Sequence, residues 1–299
     1  MRRIGVQRSF LTFRSPRANQ PQGGLIMRPV VTKRVLIPAA VLMTLAATAG
    51  AQIYLRGSEG SSRRGGERAA QFRATEDISP HSFYFTRAQY SGGGRGWRSG
   101  NSWATDFDKA DLQFLAVLRR LTNIDAYDDA NVVSLDDPQL RRFPMIYAVE
   151  VGYMSLSDAE IQGLRDYLLA GGFLVVDDFW GTYEWQNFEQ EIKAVLPEYD
   201  IVELPLDHPI FSAMYTIDEV IQVPNVQNGI EGWTTSERDG TVPHVRGISD
   251  ENGRLLVVIN WNTDLGDAWE WAEQARYPLR FSTYAYEMGA NFIVYAMSH

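Results

Sequence analysis

Gly171-Gly172-Phe173-Leu174-Val175-Val176-Asp177-Asp178-Phe179-Trp180-Gly181 carries most of the fold information in this chain. Two glycines stop a helix, four apolar residues follow without alternation, and two carboxylates end the run. An unbroken apolar run bounded by turn residues is the pattern of a strand buried on both faces, as in a parallel sheet covered by helices. Upstream, Ser157 with Glu160 three positions on makes a capping box, so a helix begins there and ends at the glycine pair. Downstream, Glu184 to Leu196 reads as a helix and Ile201 to Leu204 as a short strand.

The same alternation extends in both directions. Phe83 to Tyr90 reads as a strand, followed by the glycine-rich loop Ser91-Gly92-Gly93-Gly94-Arg95-Gly96-Trp97. Asp106 to Leu121 has Phe107, Ala110, Phe114, Leu118 and Leu121 at helical spacing on one face. Asn131 to Leu135 is a short strand, and Met145 to Val151 an apolar strand of central character. His244 to Trp261 reads as a hairpin turning at Asp250-Glu251-Asn252-Gly253, and Leu279 to Met297 as a closing helix. Strands alternating with helices define an α/β fold with a mostly parallel sheet. The C-terminal hairpin and helix are expected as additions to it.

Composition bounds the function. The chain has 299 residues, 45% of them hydrophobic, enough for a full core. Residues 1–51 hold eight basic residues and no acidic one, which leaves 20 basic against 37 acidic beyond them. So acidic a body repels polyanions and excludes nucleic acid as a partner. There is no cysteine, hence no disulfide, thiolate metal site or thiol nucleophile.

From Met27 the sequence reads as an export signal. Arg28, Lys33 and Arg34 precede an apolar run from Val35 to Ala47, and Ala49-Gly50-Ala51 offers a cleavage site before Gln52. The run is short for a membrane span, so the expectation is a cleaved signal over 27–51 and a periplasmic or secreted protein with no transmembrane span in its mature chain. Residues 1–26 read as a mis-assigned start. Residues 52–80, rich in Gly, Ser, Arg and Glu, read as a disordered linker before a single domain over 81–299.

The run at 171–181 resembles the bacterial domain-of-unknown-function family 4159. Asp207-His208-Pro209-Ile210-Phe211 downstream and Phe83-Tyr84-Phe85 with Ala110-Asp111-Leu112 upstream carry the same likeness. The resemblance spans the mature domain and implies a class I glutamine amidotransferase-like fold, a flavodoxin-like three-layer sandwich, with no assigned reaction. In that fold the turn after residues 173–176 is where amidotransferases carry a cysteine nucleophile. Here Asp177, Asp178, Phe179, Trp180 and Gly181 occupy it, so thioester chemistry on glutamine is excluded, and no Gly-x-Ser-x-Gly elbow replaces it.

Several residues qualify as site candidates, each beside a plainer structural reading. Asp177 and Asp178 stand where open parallel sheets bind ligands, and a carboxylate pair there can act as acid or base or attract a divalent cation. Equally, one can cap the next turn while the other faces water. His208 can serve as acid, base or ligand, or simply brace a proline turn. Trp180, Tyr183 and Trp185 beside the acidic pair suggest a sugar-type site with Glu184, or ordinary packing; Trp261, Trp269 and Trp271 read as a second aromatic group. Arg95 and Trp97 sit on the glycine loop, which suits an anionic ligand but lacks any nucleotide fingerprint. Glu150, ending its strand, can face the same crevice. No organic cofactor is implied. Three functions follow: a non-catalytic envelope module binding a small molecule, glycan or protein; a metal-assisted hydrolase using Asp177 or Asp178 with His208; or a structural part of an envelope assembly.

Overall fold

The computed structural model describes residues 81–92 and 102–299. The expected signal, the linker and the loop with Arg95 and Trp97 lie outside them. Seven described strands form one sheet: β1 (Thr86–Gln89), β2 (Asn131–Ser134), β3 (Met145–Val149), β4 (Phe173–Asp177), β5 (Ile201–Glu203), β6 (His244–Ser249) and β7 (Leu255–Trp261). Their order is β2-β1-β3-β4-β7-β6-β5. The first five in that order run parallel, while β6 lies antiparallel between β7 and β5.

Six described α-helices accompany the sheet: α1 (Lys109–Leu121), α2 (Asp158–Leu169), α3 (Gly181–Val195), α4 (Val226–Glu231), α5 (Leu265–Glu270) and α6 (Leu279–Ser298). On one face Phe85, Tyr147, Val175 and Val258 pack with Phe114 of α1 and Met288 and Phe292 of α6. On the other, Ile146, Leu174, Val176 and Ile259 meet Leu168 of α2 and Phe188 and Ile192 of α3. The result is an α/β sandwich with helices on both sides. All five residues of β4 are buried, as its unbroken apolar run requires of a strand covered twice. Among the described residues no helix is long and apolar enough to cross a membrane.

Ser157 accepts from Glu160 N while the Glu160 carboxylate accepts from Ser157 N, so the capping box at α2 is real. The hairpin also turns where expected, but it is no appendage. β7 pairs in parallel register with β4 (Val175 opposite Val258) and becomes a central strand, leaving β6 and β5 as the margin. The physical cause is its composition: Leu255 to Asn260 are all buried, so both faces of β7 need helical cover. The second aromatic group also does not form. Trp269 is buried with Phe85, Phe114 and Tyr147, Trp261 stacks near Trp185, and Trp271 lies against the Lys109 ammonium.

Candidate functional site

Parallel strands deliver their carboxyl ends to one edge, and here each end is followed by an acid. Glu150 follows β3, Asp178 follows β4, and Asp264 and Asp267 follow β7. Asp106 arrives from the connection between β1 and α1. With Glu184 of α3 and Glu237 of a nearby loop, these seven carboxylates line a cavity of about 210 Å³ in which Arg238 is the sole lining cation among the described residues.

The backbone at this edge is unusual. Asp106 (φ 62°), Glu150 (φ 53°), Asp178 (φ 51°) and Arg238 (φ 52°) are all left-handed, a conformation that costs a non-glycine residue about 1–2 kcal/mol. Four of them around one cavity is the clustering expected of a functional site. Glu150 N donates to Asp178 O at 3.0 Å, which ties the two turned residues together across β3 and β4.

Asp177 and Asp178 divide their roles. Asp177 is fully buried, and its Oδ2 accepts from Tyr147 Oη (2.6 Å), Leu265 N (2.9 Å) and Gly266 N (3.1 Å). It therefore fastens the start of α5 to β4, and burial holds its pKa up to about 7 despite those donors. Asp178, 7% exposed, lines the cavity and receives one side-chain bond, from Trp180 Nε1 at 3.2 Å to Oδ1. Asp264, 3% exposed, likewise accepts at Oδ1, from Asp267 N at 2.7 Å. Asp106 keeps some surface toward the cavity, but its Oδ2 is enclosed with no hydrogen-bond partner among the described residues. Burial, followed by the charge of neighbouring carboxylates, raises Asp106, Asp178 and Asp264 well above the usual carboxylate range.

Glu184 and Arg238 are already engaged. Glu184 is buried, accepts from Trp180 N, and pairs with Arg238 at 2.7 Å, while Arg238 also donates to Tyr153 Oη at 2.6 Å. Glycine at 152 makes room for this arrangement, since a Cβ there would lie 2.4 Å from the Glu184 Cβ. Gly152→Ala is expected to displace Glu184 and lower stability by about 1–3 kcal/mol in urea denaturation.

Asp178, Trp180, Glu184 and Glu150 thus converge on the cleft, whereas His208 does not. Its Nδ1 accepts from Ile210 N, capping the short helix Pro209–Phe211, and its ring packs toward Tyr295. Tyr295 sits against Phe173, the first residue of β4, and its hydroxyl accepts from Leu255 N, the first of β7. That is the opposite end of the sheet, about 16 Å from Asp178 at some 3.3 Å per residue. Trp180 lines the cleft but is 2% exposed, so it offers no open ring for stacking, and Tyr183, 72% exposed, is free of the cluster. Arg95 and Trp97 lie outside the described residues.

Asp106, Asp264, Asp267 and Glu237 were not legible as site residues. Asp106 reads as the first residue of a helix, and Asp264 and Asp267 lie beyond a strand that the pattern assigns to an isolated hairpin. Asn262-Thr263-Asp264 after β7 carried the signal, but only once β7 is known to be central.

The described residues thus form an α/β sandwich with an acidic cleft at the carboxyl edge of its parallel strands. The family model described as a domain of unknown function, DUF4159, matches residues 85–297, and the chain belongs to that family. No curated protein matches the sequence.

Proposed function

We propose that this protein is an exported, non-catalytic binding module that takes a positively charged ligand in the carboxylate cleft. The observation that carries the reading is the cavity lining: among the described residues, seven carboxylates against one arginine that is itself paired. Such a lining is destabilised by its own charge and is relieved by a cation. Taken in chain order, the five parallel strands run 2-1-3-4-5, the flavodoxin-like order, which supports the amidotransferase-like scaffold and its ligand position beyond the strand ends. The apolar run after Met27 supports export.

Thermal unfolding of the metal-stripped protein tests the reading, with Ca²⁺, Mg²⁺, Mn²⁺ and spermidine added separately at low ionic strength. At least one should stabilise the wild type, by about 2.7 kcal/mol at a hundredfold excess over Kd. Asp178→Asn should raise the stability of the stripped protein by removing repulsion, yet lose most of that response. A wild type indifferent to all four cations would contradict the proposal.

A further inference from the structure

Two sets of three carboxylates share Asp106; Asp178, Asp264 and Asp267 line the cleft with it, and Glu270 of α5 stands beside the cleft lining. One oxygen each from Asp106, Asp178 and Asp264 lie within 4.8 Å of one another, and so do one each from Asp106, Asp267 and Glu270. Oxygens bound to a single hard cation at about 2.3–2.6 Å are separated by no more than about 5 Å, so each set has the span of one coordination shell. We infer that the cleft holds two divalent cations bridged by the Asp106 carboxylate. This rests on the reading of the cleft as a cation site and gives that cation an identity.

The oxygens left without donors point the same way. Asp178 and Asp264 are each more than nine-tenths buried, line the cavity, and take a single side-chain bond at Oδ1, leaving Oδ2 with no hydrogen-bond partner among the described residues. Asp106 Oδ2 is enclosed and unpartnered as well. A buried carboxylate oxygen with no donor carries a desolvation cost that a coordinate bond removes. Gly266 allows this close approach, because a Cβ there would stand 2.9 Å from Asp106 Oδ2.

Charge favours two ions over one. The five carboxylates of the two sets sum to −5 when ionised; one divalent cation leaves −3 in a buried site, and two leave −1. A cavity of about 210 Å³ accommodates both with several waters at roughly 30 Å³ each. All the donors are oxygen, with no histidine or sulfur, which selects Ca²⁺, Mg²⁺ or Mn²⁺ over zinc or copper.

Metal content of the full chain after stripping with chelator and dialysis against Mn²⁺ or Ca²⁺ tests the bridge. The wild type should retain two ions, Asp178→Asn and Glu270→Gln one each, and Asp106→Asn none. The Mn²⁺-loaded wild type should show the spin-coupled resonance of a bridged pair, lost in either single-ion variant. If Asp106→Asn does not fold, the other two variants and the resonance decide alone. One ion in the wild type, two in Glu270→Gln, or an uncoupled signal would each overturn the bridge while leaving a cation-binding cleft. Stabilisation by spermidine with no metal retained would do the same, and no response to any cation would remove both readings.

Discussion

Arg87→Met lowers stability by about 3–5 kcal/mol in urea denaturation, the loss expected when one partner of a buried ion pair is removed. Arg87 on β1 and Asp111 on α1 are both wholly buried, and the guanidinium engages the carboxylate through two nitrogens. Burial opposes the charge on Arg87, but Asp111 more than compensates and holds its pKa above the ordinary arginine value. Removing Arg87 alone strands an uncompensated carboxylate in the core. Arg87→Met with Asp111→Leu should recover most of the loss, because two apolar groups of similar volume replace the pair without leaving a buried charge. The double variant should still bind cations poorly. Arg87 Nη1 also donates to Thr105 O at 2.7 Å, next to Asp106, and that anchor disappears with the guanidinium. Full recovery of both stability and cation response would contradict the anchoring role.

Stability of the cation-free protein should fall as pH rises from about 4 to about 7. Burial raises Asp177 from 3.8 to about 7, and it raises Glu270 from 4.5 to about 7 with Asp267 adding to the effect. Between the unfolded and folded values the native state binds more protons than the unfolded chain. These groups therefore contribute stability that is complete below the unfolded pKa and lost as pH rises through the folded one. Each shift is worth on the order of 3–4 kcal/mol across that window. Chemical denaturation at pH values spanning it, with and without Ca²⁺ or Mn²⁺, checks the sign. A bound cation should displace the protons and flatten the fall. Stability that increases from pH 4 to 7 in chelator would show that these carboxyls are ionised in the folded protein.

Much of the scaffold was legible because its signals are local. The apolar run at 173–176, the capping box at Ser157 and Glu160, and the turn at 250–253 each depend on neighbours a few residues away. The cleft was half legible: from pattern alone Asp178 and Glu150 could be placed at strand ends, and Trp180 and Glu184 in the turn and helix just after one. His208 stands apart from the cleft because the segment after β5 packs its short helix Pro209–Phe211 near Tyr295 of α6, a path no local pattern records.

By itself the sequence established an α/β chain with a basic N-terminal stretch containing an apolar run, an acidic remainder and no thiol, all of which are properties of composition and short-range periodicity. Tertiary structure alone decided that β7 enters the middle of the sheet. That single pairing brings Asp264 and Asp267 beside Asp178, places α5 over Asp177, and separates His208 from them all. Strand order depends on which buried faces find partners across eighty or more residues, and contacts at that range leave no periodic mark in the chain.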